Sequence, residues 1–295
     1  MNPFLNRIIK GEVLLSDGAL GTMLIQRGLR AGECPDIWNL EKPEILQEIA
    51  SLYLDAGSDI ISTNTFGGHP LKLEQYGLHN KTETINKAGV RAIKGVVDGK
   101  AYLAASCGPS GKLLKPYGDT DPEEISRGYE RQIAAIVEGG IDIIYIETMI
   151  DLSEAILAVK AAKSIAPELP VCATLTFDFS PRGFYTVMGN SIEQATKELE
   201  AAGADVIGSN CGNGIDNMVN IAGEFKRYSQ RPLLIQSNAG LPVVTGETVE
   251  YSETPEFMSD RVKKMLDIGI NIIGGCCGTT PEHIASFRKT IDNYR

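Results

Sequence analysis

Ala202-Gly203-Ala204-Asp205-Val206-Ile207-Gly208-Ser209-Asn210-Cys211-Gly212 is the stretch on which the reading of the whole chain turns. A glycine closes an amphipathic segment, as at a helix C-cap, and a short turn leads into an apolar run. The run then gives way abruptly to polar and thiol residues. A run apolar on both faces is what a buried parallel strand requires. The lead-in recurs as Ala56-Gly57-Ser58-Asp59, Gly139-Gly140-Ile141-Asp142 and Ile268-Gly269-Ile270-Asn271.

Across the chain, eight such runs are predicted as strands: 13–16, 59–63, 102–106, 142–147, 171–176, 205–209, 233–237 and 271–275. Between them lie segments with apolar residues at helical spacing, among them 43–56, 121–138, 153–164 and 281–294. Pro43 and Pro281 suit the first turn of a helix. Strand–helix alternation repeated eight times, with no linker-like or low-complexity stretch, predicts a single (β/α)8 TIM barrel over residues 1–295. An open doubly wound sheet is the rival, and it rarely needs eight units of such even spacing.

Composition narrows the function. Hydrophobic residues make up 43% of the 295 and charged residues 22%, an ordinary globular balance. The formal charge of −10, with no basic cluster beyond a scatter such as Lys112, Lys115 and Arg127, argues against nucleic acid or an anionic membrane as partner. No run approaches the ~18 apolar residues of a membrane span, and residues 1–12 do not read as a signal peptide. Six cysteines without an export signal read as thiols or metal ligands, which places the chain in the cytoplasm.

In a barrel, chemistry sits where strands end, and here the ends are polar. They include Ser16-Asp17-Gly18-Ala19, Thr63-Asn64-Thr65-Phe66, Glu147-Thr148, Asn210-Cys211-Gly212, Ser237-Asn238-Ala239 and Gly275-Cys276-Cys277-Gly278. Cys276 and Cys277 are adjacent, so both can face one point only if the backbone turns, which the flanking glycines permit. Strands six and eight are one strand apart, so Cys211 can join the pair at the barrel mouth. Three readings stay open: metal ligands, a redox disulfide, or packing. Three thiolates with one vacant position suit a catalytic zinc, whereas a structural zinc normally shows four ligands in short paired spacings. Cys34, Cys107 and Cys172 read as small buried hydrophobes.

Gly274-Gly275-Cys276-Cys277-Gly278-Thr279-Thr280-Pro281-Glu282-His283 resembles the C-terminal signature of the homocysteine S-methyltransferase family. Asp17-Gly18-Ala19-Leu20-Gly21-Thr22 and Asn210-Cys211 resemble its N-terminal and middle signatures. The resemblance spans essentially the whole chain and is nearest to the homocysteine-binding module of cobalamin-dependent methionine synthase. It implies zinc on Cys211, Cys276 and Cys277, with the sulfur of homocysteine in the fourth position and Asn238 able to occupy that position before substrate arrives. It further implies the substrate ammonium near Glu147 and its carboxylate near the backbone of Asp17, Gly18, Ala19 and Thr22. Independently of the family, Asp17 also reads as an Asx turn or a helix cap. The segment Leu234-Ile235-Gln236-Ser237 before Asn238 departs from the Glu-Pro usual in methionine synthases.

The implied reaction moves a methyl group onto the homocysteine thiolate, giving methionine. A methyl-corrinoid (methylcobalamin) carried by a partner protein or another module is the expected donor, with S-methylmethionine or a betaine-type compound as the alternative. A leaving group of any of these kinds needs no general acid, which fits a chain with only three histidines; of these, His283 reads as a structural or capping residue. A non-catalytic zinc- or thiol-binding barrel is the reading from another class.

Overall fold

The computed structural model describes residues 2–245 and 248–294. Its strands β1 (Leu14–Leu15), β2 (Ile60–Ser62), β3 (Tyr102–Cys107), β4 (Ile143–Met149), β5 (Val171–Leu175), β6 (Val206–Asn210), β7 (Leu233–Ser237) and β8 (Ile272–Gly275) form one parallel sheet. Each strand pairs with its chain neighbours, and β1 pairs with β8. A parallel bridge between Ser16 and Ile60 closes the ring. The outer layer is α1 (Pro43–Asp55), α2 (Thr82–Val97), α3 (Pro122–Val137), α4 (Leu152–Ile165), α5 (Ile192–Ala202), α6 (Ile215–Tyr228), α7 (Pro255–Ile268) and α8 (Pro281–Asp292). The expected (β/α)8 barrel is therefore the one present, and each expected run carries a strand.

Strand residues alternate between two cores, as the two-residue period of a strand demands. Leu14, Ile60, Ala104, Tyr145, Val206, Leu234 and Ile272 fill the barrel interior. Phe4 and Ile8, from a short helix over Pro3–Ile9, join that interior cluster. Leu15, Ile61, Leu103, Ile144, Ile207, Ile235 and Ile273 face the helices. The bland reading of three cysteines holds. Cys172 packs inside the barrel, Cys107 in the sheet–helix layer and Cys34 against Leu73 and Ile85, all buried and free. Burial pushes the thiols of Cys107 and Cys172 upward, which leaves them protonated and unreactive.

The four repeated lead-ins do more than end helices. Gly57, Gly140, Gly203 and Gly269 have φ of 93°, 80°, 102° and 84°, a region that only glycine enters freely. Two residues later, Asp59, Asp142, Asp205 and Asn271 each grip the preceding strand. Their side-chain oxygens accept from the amides of Leu15, Leu103, Val171 and Leu233 at 3.0, 2.8, 2.9 and 2.9 Å. Their own amides donate to the carbonyls of the same four residues. Every even-numbered strand is thus clamped at its start to the odd strand before it, and each clamp bond is worth about 0.5–1.5 kcal/mol net.

Two hairpins, Asp178–Ser180 with Gly183–Tyr185 and Val243–Thr245 with Thr248–Glu250, project from the loops after β5 and β7. Neither is among the eight expected runs. No helix among the described residues is long and apolar enough to cross a membrane.

Candidate metal centre

Cys211 follows β6, and Cys276 and Cys277 follow β8, at the C-terminal mouth of the barrel. Their Sγ atoms all lie within 4.8 Å of one another, and Cys211 and Cys277 are 3.8 Å apart. The convergence depends on backbone turns at both strand ends. Cys211 has φ of 62° and Gly212 of 76°, which swing its side chain off the strand direction. Gly278, φ 82°, turns the chain after the vicinal pair, with the Tyr251 ring lying directly on it: a Cβ there would sit 2.1 Å from Tyr251 Cγ.

The three thiols share their protons unequally. Hydrogen bonds from Cys276 and Cys277, with a further one from Asn238, favour the Cys211 thiolate and pull its pKa down. Cys276 and Cys277 are pushed up, first by their contact with Cys211. Tyr251 also hydrogen-bonds Cys277. Three sulfurs within 4.8 Å are therefore poised to hold a soft or borderline cation such as zinc. A second observation supports that fit. Asn238 is buried beside the cluster, and its Oδ1 has no hydrogen-bond partner. An orphaned buried carbonyl oxygen is costly unless something accepts its lone pairs.

Glu147 ends the inward-facing row of β4, where the pairing with β5 slips between Ile146 and Met149. Ser106 Oγ donates to its Oε1, and Asn210 Nδ2 stands 3.4 Å from Oε2. Burial raises its pKa to about 7, with the nearby charges of Asp17 and Cys211 adding to the rise. A carboxylate so placed is a strong recipient for an ammonium.

The Asp17 side chain makes neither the Asx turn nor the helix cap expected of it. It caps no helix: the helix Leu20–Gln26 begins after Ala19 with no side-chain cap. Its carboxylate instead accepts from the amide and hydroxyl of Ser62 at 2.7 and 3.0 Å, closing the seam between β1 and β2. Burial lifts its pKa to about 6. The remaining turn residues are riveted to the cysteine loop. Ala19 N–H donates to Thr279 Oγ1 at 3.1 Å, and Gly278 N–H donates to Thr22 Oγ1 at 3.0 Å. A Cβ on Gly18 would meet Thr279 Oγ1 and the Tyr53 ring at 2.9 Å, so that position requires glycine. The backbone amides of the first turn starting at Leu20 have no side-chain cap.

Several contributors were absent from the sequence-based set. Asn210 is fully buried and touches Thr148, Thr174, Glu147 and Cys276. Tyr251 covers the vicinal pair. His283 serves as the cap expected of it: its Nδ1 accepts from Thr280 N–H at 3.1 Å, and its Nε2 donates to Glu253 O at 3.0 Å, fixing the strap that carries Tyr251. The signal available for Asn210 was its place directly before a candidate ligand, in the pair that resembles the family's middle signature; nothing in the local sequence singles out Tyr251.

This barrel, with three cysteines at its mouth, defines a thiol-rich candidate metal site on a (β/α)8 scaffold. The sequence profile described as homocysteine S-methyltransferase matches residues 14–291, and the chain belongs to that family. It is 29% identical to the methionine synthase of Mycobacterium tuberculosis over 98% of its own length and 25% of that protein. Against the methionine synthase of Mycobacterium leprae the identity is 30%, covering 92% of this chain and 24% of the relative. The chain thus spans about a quarter of the length of these relatives. The metallated homocysteine methyltransferase MmuM of Escherichia coli shares the fold, with a TM-score of 0.80 at 21% identity, covering 98% of this chain and 99% of that one.

Proposed function

We propose that this chain activates homocysteine for methyl transfer, with zinc held by Cys211, Cys276 and Cys277 and the methyl group supplied by a corrinoid carried on a partner or another module. The observation that carries the reading is the sulfur triad, 4.8 Å or less across, beside the partnerless Oδ1 of Asn238. Zinc bound there would supply the Lewis acidity that keeps an incoming thiol ionised near neutral pH. The chain's own residues do the rest. Glu147, steadied by Ser106, takes the ammonium. The uncapped amides at Leu20 take the carboxylate. Asn238 yields its place at the cluster when the substrate sulfur arrives. The thiol proton passes to solvent before transfer; the new S–CH3 bond then forms as the donor–CH3 bond breaks, and the leaving group keeps the electron pair.

The choice of donor is supported by the surface around the mouth. Leu113, Tyr117, Phe179, Val187, Leu241 and Val243 are exposed, and all lie on loops or hairpins leaving β3, β5 and β7. Tyr117 is 76% and Phe179 67% accessible. An apolar rim of this kind suits docking of a protein-borne donor, whereas a small sulfonium or betaine needs no such surface. The 30% identity to a methionine synthase points the same way.

The test is methionine formation from homocysteine by zinc-loaded protein, with methylcobalamin, S-methylmethionine and glycine betaine assayed in parallel. Turnover with methylcobalamin is expected. Turnover with S-methylmethionine or betaine alone refutes the donor assignment. Zinc binding without any uptake of homocysteine refutes the acceptor assignment and favours a non-catalytic barrel.

A further inference from the structure

Only two non-glycine residues among those described have positive φ: Thr148 at 59° and Cys211 at 62°. Threonine is β-branched, and such a residue enters the left-handed region only when its surroundings impose it. One side chain touches both places. Asn210 precedes Cys211 in the chain, and its Oδ1 accepts from Thr148 N–H at 2.7 Å and from Thr174 Oγ1 at 2.7 Å. Thr176 Oγ1 donates to the Asn210 carbonyl at 3.0 Å. The Asn210 side chain is fully buried at the junction of β4, β5 and β6.

The nitrogen of that amide is oversubscribed. Nδ2 carries two hydrogens but faces three acceptors: Thr148 Oγ1 at 2.7 Å, Glu147 Oε2 at 3.4 Å and Cys276 Sγ at 3.9 Å. The short contact to Thr148 takes one hydrogen. The second lies between the carboxylate that would receive the substrate ammonium and a sulfur of the metal triad.

We infer that Asn210 is a positioning residue that couples recognition of the acceptor's amino group to the metal-binding sulfur of Cys276. The inference rests on the acceptor reading given above. The second Nδ2 hydrogen is shared between Glu147 and Cys276; an ammonium that pairs with Glu147 satisfies its carboxylate and leaves more of that hydrogen to Cys276. A hydrogen bond to that sulfur withdraws electron density from it and alters how it holds a metal. The Thr148 turn is what aims Glu147 at this point, and Asn210 Oδ1 is what holds the turn. Occupancy of the amino subsite is thereby felt at the metal, even by a ligand that brings no sulfur of its own.

The probes are homocysteine and 4-mercaptobutyrate, which is homocysteine without its amino group, with L-norleucine as an amino acid that lacks sulfur. Cobalt(II)-loaded protein reports both binding and the sulfur-to-metal charge-transfer band. Wild type is expected to bind homocysteine at least tenfold more tightly than 4-mercaptobutyrate, and L-norleucine is expected to shift the band. Asn210→Asp keeps the acceptor for Thr148 and Thr174 but loses the donor. It should weaken homocysteine by about tenfold or more, leave 4-mercaptobutyrate within about threefold, and abolish the response to L-norleucine. Thr174→Val loosens the same amide from behind and should act in the same direction to a smaller extent, which keeps the inference testable if Asn210→Asp does not fold.

A variant that weakens both thiols equally, or keeps the L-norleucine shift, overturns the coupling and leaves Asn210 a purely structural residue. If wild type itself does not favour homocysteine over 4-mercaptobutyrate, the assignment of Glu147 fails first. That result is separate from a failure of Asn210.

Discussion

Replacing Glu147 with glutamine tests the acceptor subsite while leaving all three cysteines in place. The amide retains an oxygen for Ser106, so the loss is confined to the charge. Burial has already raised this carboxyl to about 7, so the site stores a proton that an ammonium must displace. Losing a charge-assisted bond of this kind costs about 1.5–3 kcal/mol, which corresponds to roughly 10- to 100-fold in affinity. The cleanest ligand is methionine, the product of the proposed reaction, because it has no thiol to titrate. With a pKa of about 7, Glu147 is about one-tenth ionised at pH 6 and about nine-tenths ionised at pH 8. Methionine should therefore bind about tenfold more tightly at pH 8 than at pH 6 in wild type, and with no pH trend in Glu147→Gln. Equilibrium binding by calorimetry over this range is the assay. A Glu147→Gln protein that binds methionine within threefold of wild type, or that keeps the pH trend, would refute the assignment.

Metal loading should release about two protons at pH 7, because Cys276 and Cys277 are held protonated while Cys211 is favoured as thiolate; zinc titration in weak buffer with a pH indicator measures this, and Cys277→Ser should lower the count by about one. Gly278→Ala should reduce melting temperature and zinc affinity together, since it combines a φ of 82° with the Tyr251 ring 2.1 Å from the new Cβ. Gly28→Ala, φ 96° with nothing within 4 Å, isolates the backbone cost of about 1 kcal/mol and should leave zinc affinity unchanged. Asp36 is buried with an unpartnered Oδ1, and burial lifts its pKa from 3.8 to about 7. The folded state therefore binds the extra proton, and this residue's contribution to stability declines as pH rises from about 4 to about 7. Asp36→Asn should gain on wild type across that window by up to about 4 kcal/mol, read from denaturant unfolding at pH 4.5 and 8; a constant difference between the two pH values would contradict it.

The barrel was legible because its signals are local and repeated. Glycine, one spacer and Asp or Asn mark the start of four strands, and the positive φ at all four glycines shows why the glycine cannot be exchanged. The triad was legible because vicinal cysteines between glycines are rare and strand order brings Cys211 near them. The Asx-turn or helix-cap reading of Asp17 failed because its side chain's partners, the amide and hydroxyl of Ser62, are separated from it by 45 residues. Its chemistry is satisfied by the seam of the barrel, which local spacing does not reveal. The left-handed turns at Thr148 and Cys211 were illegible for the opposite reason: threonine and cysteine do not signal positive φ, and tertiary contacts impose it. Tyr251 reaches Cys277 from a strap placed by His283 and Ala239, an arrangement that only the folded chain assembles.

The four clamps of Asp59, Asp142, Asp205 and Asn271 make the even strands behave as posts set in a foundation. Glu147 stands on β4, Cys211 just beyond β6 and Cys276 just beyond β8, so the carboxylate and the sulfurs are all carried at the free ends of anchored posts. The paired bonds at each foot fix the register of an even strand against the odd strand before it. The loops above, including both hairpins, can vary in length without transmitting a change of register downward. The spacing among the three sulfurs is accordingly a property of the base of the barrel as much as of the turns that bear them.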